Sequence, residues 1–534
     1  VPIENASMPG RSVIQWDKDD LDALGLLKVD VLALGMLSAL RRALDFISQR
    51  LGRPFRMQDI PAEDPATYDM LCKADAVGVF QVESRAQMSM LPRLRPRCFY
   101  DLVVEVALVR PGPIQGGMVH PYLRRRQDVE ANDCPRGLEG ALGRTLGVPI
   151  FQEQVMQVAI IAAGFTPGEA DALRRAMAAW RRKGGVDKFY ARVVGGMTAR
   201  GYPVEFAERI FKQIEGFGSY GFPESHAASF ALLVYASAWI KCHEPAAFLA
   251  GLLNAQPLGF YSPSQLVQDA RRHGVAVLPP DVSHSDWDSS LVAMGNDEPP
   301  AVRLGLRLVN GLGREAAHRL VQARLTGGPW LHAEDLSRRA ALEQADMRHL
   351  AAADALASLA GHRRQQVWAA SALHRPPALL RHTVVEEDEL RLPEAPEGEE
   401  IVFDYAATGL TLRRHPLALL RARLDKARLC SAAQLGLLEN GRLARACGIV
   451  TVCQQPDTAA GVVFVTLEDE TGTVNVIVWK QLRERQRHEL LHARLLAVYG
   501  VWQREGEVCH LIAQHLKDMT PLLGRLGTRS RDFH

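Results

Sequence analysis

Residues Val106 to Arg126 read VALVRPGPIQGGMVHPYLRRR. An apolar run ends in Arg110, a Pro-Gly-Pro turn and a Gly-Gly pair follow, and three arginines close the segment. Proline fixes φ, glycine lets a backbone approach a ligand closely, and guanidinium forks suit phosphate oxygens. By itself the block points to an anionic ligand, best matched by phosphate; a surface loop of solvated arginines explains the same residues.

Three further strings accompany it: GVFQVESRAQMSMLPRLRP from Gly78, IFQEQVMQVAIIAAGFTPGEADALRRAM from Ile150 and YGFPESHAASFALLVYASAWIK from Tyr220. Together they resemble the fingers of the bacterial C-family DNA polymerases, the family of the polymerase III alpha subunit. The string LLNAQPLGFYSPSQLVQDARRHGV from Leu252 resembles the error-prone, damage-induced branch, and the resemblance runs nearly end to end. It implies transfer of nucleotidyl groups through two divalent ions that clamp the attacking and leaving oxygens. Mg²⁺ prefers hard oxygen ligands, so carboxylates must hold it.

Lys28-Val29-Asp30-Val31-Leu32 matches one of the family's carboxylate strands, which implies Asp30 as metal ligand and catalytic residue and Lys28 as a phosphate contact. Read without the family, an Asp beside a Lys on a strand is an exposed ion pair. No match occurs to the strand carrying the other two aspartates, so the chain is expected to begin inside the palm, with an incomplete site and no activity alone. The resemblance also implies nucleotide contacts from Gln81, Glu83, Ser84, Arg110, Arg174, Arg175, Lys183 and His226. Arg174 and Arg175 diverge by about 100° on a helix, so at most one should face a given phosphate.

The charge distribution agrees with a local anionic partner. The 534 residues carry a net charge of only +2, which excludes a globally basic nucleic-acid binder. Yet Arg85 to Arg126 hold eight arginines against Asp101 and Glu105, and Leu173 to Val186 hold five cations, Lys183 among them, and no acid. A local basic stripe attracts a phosphate backbone whatever the total charge. The eight cysteines form no CxxC pair, which excludes a zinc ribbon and reads as reduced thiols of a cytoplasmic protein. The longest apolar run, Ala227 to Ile240, is too short to span a bilayer.

These residues need elements to position them. GLLKVDVLAL from Gly25 alternates as a strand and Ser38 to Arg50 has helical spacing. Residues 76–280 read as one mostly helical unit. VRLGLRLVNGLGREAAHRLVQAR from Val302 resembles a helix-hairpin-helix, with Gly311, Gly313, Arg314 and Arg324 toward a DNA phosphate; a helix C-cap at Gly311 explains the glycine equally. A degenerate second copy carries Ala353-Asp354 at its turn. Glu386 to Glu400 hold eight acids against Arg391 and read as an exposed linker. Five short β patterns from Arg442 to Leu516 with a helical insert predict an OB-fold, on which Phe464, Trp479 and Trp502 could stack bases.

The expected architecture is a multidomain α+β protein: the end of a palm (1–75), fingers (76–280), tandem hairpin region (281–382), acidic linker (383–430), OB-fold barrel (431–520) and tail. The expected function is that of the C-terminal portion of an error-prone DNA-directed DNA polymerase in damage-induced mutagenesis and translesion synthesis, using Mg²⁺, dNTPs and primer-template DNA. A replicative alpha-subunit fragment and a non-catalytic DNA-binding remnant are the alternatives. Gln344-Ala345-Asp346-Met347-Arg348 has the glutamine of a sliding-clamp peptide but no aromatic anchor. Clamp access is therefore expected through a polymerase-like adaptor, without direct clamp binding.

Overall fold

The computed structural model describes residues 1–6, 11–16, 18–26, 34–110, 113–114, 117–131, 134, 137–183, 187–217, 223–259, 261–295, 298–372, 391–455, 461–506, 508–528 and 531–533. The strand expected around Asp30 and Lys28 lies outside them.

The expected helix over 38–50 is α1, Leu34–Leu51, whose Met36, Ala39, Leu40, Ala43 and Ile47 form one buried stripe. The chain then turns through FQVES into α2 (Arg85–Leu94), α3 (Phe99–Leu108) and α4 (Val119–Arg126). Four helices follow: α5 (Gln152–Ile161), α6 (Pro167–Lys183), α7 (Asp187–Ala199) and α8 (Val204–Phe217). The axis of this region is α9, Glu224–His243, which packs along α3. Both helices are apolar on nearly every face, as a helix enclosed by others must be. Each Leu or Val they bury contributes about 1.5–3 kcal/mol. Next come α10 (Pro245–Asn254), which returns onto α1, and α11 (Pro263–Arg272). Ser262 and Gln265 close a capping box at the start of α11, with Pro263 in its first turn.

A small sheet of Val277–Leu278, Ala301–Arg303 and Ser290–Val292 leads into the first hairpin and α12, Arg314–Gly327. Helices α13 (Gln344–Ala352) and α14 (Arg363–Ala372) build the second copy. Among the described residues the acidic stretch departs at its end from the exposed linker expected of it. Its last residues begin α15, Glu397–Thr408, in which Glu400 is buried. Glu400 meets the guanidinium of buried Arg363 at 2.8 Å, and Asp404 bonds the same group. A buried cation supplies what composition alone cannot show, a partner for those acids.

After α16 (Pro416–Lys426) the barrel consists of β1 (Leu443–Gln454), β2 (Val463–Glu468), β3 (Thr473–Val478), β4 (Leu495–Glu505) and β5 (Val508–Asp518). The order β1-β2-β3-β5-β4 closes by pairing of β4 with β1; β3 and β5 run parallel, the other pairs antiparallel. Val463, Val465 and Leu467 of β2 point inward, with period two. At Gly448 a Cβ would stand 2.7 Å from that of Leu467, so only glycine lets β1 cross β2 so closely. The helical insert is α17 (Lys480–Arg485) and α18 (Arg487–His492).

Candidate nucleotide and nucleic-acid interface

The packing of α3 on α9 brings Arg110, at the end of one, to His226, in the first turn of the other. The Arg110 Nε donates to the carbonyl of Val106 at 3.2 Å. Partial burial, and then the charge of Arg110, hold the His226 imidazole below its ordinary pKa. His226 packs tilted against Phe230, ring centroids 4.4 Å apart, and Phe230 likewise against Phe80 at 5.3 Å. The backbone N–H of Phe80 donates to Ser237 Oγ at 3.1 Å. The FQVES turn is thereby fastened to α9, and three sequence-distant motifs share one edge. Tyr100, whose hydroxyl donates to Glu224 at 2.8 Å, and Arg144, 5.5 Å over the Tyr100 ring, extend that edge. Neither residue was singled out in the sequence, because nothing in its local spacing distinguishes it.

Several expected nucleotide contacts have other partners. Ser84 caps α2: its Oγ accepts from the Gln87 N–H and donates to the Gln87 side chain at 2.7 Å. Glu83 stands in an apolar pocket with Leu258, Gly259 and Tyr261, and burial pushes its carboxyl up to about 8. Gln81 holds the turn with a left-handed φ of 65°. Arg174 and Arg175 do not point apart: both close on Asp171, at 2.8 and 3.2 Å. That acid lies one turn earlier on α6, at the helical spacing that lets it reach both. Lys183 ends α6, and its side chain is outside the described residues, as are Lys28 and Asp30.

Gly311 has a φ of +85°, and the imidazole of His349 stands 2.6 Å from where a Cβ would be. Both facts require glycine. Gly313 caps α12 with open space at its Cβ position, and Arg314 beside it is exposed. Leu312 between the glycines is buried in the hairpin core. The turn thus presents Gly311, Gly313 and Arg314 together on the outside. Arg324 does not join them. It donates to the carbonyls of Val282 and Ser285, each at 2.9 Å, and pairs with Asp286 at 2.7 Å. It is a clasp inside the region, and its bonds to three earlier residues are long-range, invisible to spacing. At the second turn Asp354 takes a φ of 60° and accepts from Gln366 at 2.6 Å and Arg413 at 3.1 Å.

The barrel aromatics separate three ways. Trp502 is 4% exposed in the barrel core and offers no face to a base, because its position in β4 falls on the inward side of the alternation. Phe464 is on the outer face under the guanidinium of Arg85, 6.0 Å from the ring centroid. Arg85 also bonds Thr466, and burial lowers its pKa to about 10. Trp479 is 55% exposed and caps α17.

Among the described residues one group, Asp75, Asp269 and His273, could gather around a metal ion. Lys241 already stands between its carboxylates, at 2.8 and 2.9 Å, so the group fits a metal poorly.

Three family models match the chain. Residues 36–201 match the bacterial DNA polymerase III alpha subunit finger domain, 274–366 a helix-hairpin-helix motif and 444–519 an OB-fold nucleic acid binding domain. The chain is 63% identical over 541 aligned residues to an error-prone DNA polymerase of Bordetella bronchiseptica and 62% identical over 552 to one of Burkholderia pseudomallei. One from Dechloromonas aromatica is 62% identical over 535. The chain is similar along its whole length to error-prone DNA polymerases. All of it is covered in each case, against 51%, 51% and 52% of those proteins, so it spans about half the length of the curated relatives it matches. Its finger, hairpin and barrel regions fall in the order the sequence led one to expect. No helix among the described residues is long and apolar enough to cross a membrane.

Proposed function

We propose that this chain supplies the fingers, hairpin DNA grip and OB-fold of an error-prone DNA-directed DNA polymerase that works in the cytoplasm in damage-induced mutagenesis and translesion synthesis. The observation that carries the reading is identity above 60% along the whole chain to proteins of that name. The edge formed by Arg110, His226 and the FQVES turn supports it, because a cation beside an imidazole kept neutral suits a triphosphate and its proton traffic. The reaction is template-directed addition of deoxynucleoside monophosphates from dNTPs to a primer, with loss of pyrophosphate. Divalent ions, Mg²⁺ in this reading, supply the charge that phosphoryl transfer needs, and Asp30 is the residue of this chain that would hold one. Gly311, Gly313 and Arg314 hold the duplex by its phosphates.

Clamp access belongs to a polymerase-like adaptor in this reading. Gln344 opens α13 as part of a helix, and Met347 is fully buried in the hairpin core. A clamp peptide must instead leave its anchors free for the clamp's pocket.

The test is primer extension by the full-length protein containing this chain. Asp30→Asn should cut extension by orders of magnitude and leave duplex affinity unchanged. Near-normal extension by that variant would remove Asp30 from the metal site.

A further inference from the structure

A cavity of about 620 Å³ opens where α11, the first hairpin, α15 and the barrel meet. Its size is that of a small-ligand site. Its walls include Ser264, Asn310, Tyr405, Thr451, Glu468 and Arg494.

Two of these residues are charged and poorly answered. Glu468, at the end of β2, is 5% exposed, and the ion-pair partner of its carboxylate among the described residues is a histidine ring. Its nearest base is His415, whose Nε2 is 3.5 Å from Oε1, longer than a good hydrogen bond. The other ring nitrogen of His415 accepts from the Leu417 N–H at 3.2 Å. Its carboxylate lines the cavity with only the His415 ring near it, so the site favours a ligand that donates. Arg494 gives Nη1 to the carbonyl of Leu526 at 2.7 Å, and no acid among the described residues pairs with it.

The barrel keeps the two from neutralising each other. Ile449 of β1 pairs with Glu468 on one side and with Leu495 on the other, so Glu468 and Arg494 flank β1. Two strand spacings, about 10 Å, separate their backbones. A ligand that answers both carries hydrogen-bond donors at one end and an anion at the other. Asn310, which directly precedes Gly311, lines the same cavity, so the hairpin turn stands beside it.

We propose that this cleft takes one nucleotide of single-stranded DNA, with an amino-bearing base against Glu468, its phosphate against Arg494 and the half-buried Tyr405 ring beside the base. The proposal rests on the DNA-binding reading above. A carboxylate accepts from an exocyclic amine such as that of cytosine, whereas thymine has no such amine and its one N3–H lies between two acceptor oxygens that a carboxylate repels. Stacking on an aromatic ring tolerates any base, so the preference must come from Glu468.

The experiment is fluorescence anisotropy of the full chain with labelled oligo(dC) and oligo(dT) of equal length. Oligo(dC) should bind several-fold more tightly. Glu468→Gln should abolish that preference, and Arg494→Gln should weaken both oligomers alike and lower the salt slope by about 0.7. Melting curves report whether each variant is folded, and the wild-type comparison needs no variant. Equal binding of the two oligomers by the wild-type chain would overturn the proposal, as would a preference that survives in folded Glu468→Gln. Free dCMP should compete weakly per nucleotide; displacement of oligo(dC) at comparable concentration would overturn the assignment to a strand. Duplex binding on the same samples separates the two readings. A chain that binds no DNA fails the proposed function, and one that holds duplex without a dC preference fails only this site.

Discussion

Two residues carry tests at their own scale. Glu105 lies in the core between α3 and its neighbours, fully buried, and neither carboxyl oxygen has a partner among the described residues. Burial holds its pKa well above the ordinary value. The folded state therefore binds a proton that the unfolded state releases above about pH 4.5. Stability is fully present below that pH and falls as pH rises toward the folded value. Replacing the acid with an apolar residue of similar length should remove the loss. Glu105→Met is expected to be more stable than the wild type at pH 8, by roughly 1–3 kcal/mol, and nearly level with it at pH 5. Urea unfolding at the two pH values checks this; equal stabilities at both would mean that Glu105 is solvated or paired. Asp171 is the second residue. It neutralises Arg174 and Arg175, so a phosphate must compete with it for either. Asp171→Asn should tighten binding of inorganic tripolyphosphate by a few-fold and steepen its salt dependence. Unchanged affinity in calorimetry would place both arginines outside the nucleotide site.

At the scale of the element, the first hairpin separates fold from function through its two glycines. Gly311 cannot change without strain, since its φ is positive and His349 occupies the space. Gly313 has an ordinary φ of −72° and open space. Gly313→Ala should therefore leave stability within about 0.5 kcal/mol. It should still weaken duplex binding, because a phosphate resting on the backbone N–H groups would meet the new methyl group. The loss should be uniform across sequences, since phosphates carry no base information. A loss confined to some sequences, in gel-shift titrations of several duplexes, would indicate base readout instead. The second turn offers no comparable surface, because Asp354 there is held by Gln366 and Arg413.

At the scale of the molecule, the barrel leans on the fingers through α2. Arg85 reaches Phe464 and Thr466 of β2, and Arg93 pairs with Glu505 of β4. His510 of β5 faces both arginines; burial first, and then their charges, lower its pKa. Arg85→Met keeps the buried stem and removes one of those charges. The His510 pKa should then rise, read by NMR titration, and amide exchange should quicken in β2 and α2 together. An unmoved His510 would show that the charge of Arg85 does not reach it, and unchanged exchange would show that the barrel does not depend on this contact.

The sequence by itself determined the order of the three regions, the OB-fold strands and the two glycines of the hairpin. Each of these is written locally, as the period of two in β2 and the left-handed turn at Gly311 illustrate. It also marked Arg110 and His226, though not that they meet, because they lie on different helices and only the packing of α3 on α9 joins them. What the sequence could not settle was which polar residues are already engaged. Arg324 reads as a phosphate contact until Val282, Ser285 and Asp286 fold beneath it. Trp502 reads as a stacking platform until barrel closure turns it inward. Glu400 reads as linker until Arg363 reaches it. Guanidinium, indole and carboxylate groups serve structure or ligand with equal ease, and partners far apart in sequence decide which. Only the tertiary structure brings those partners together.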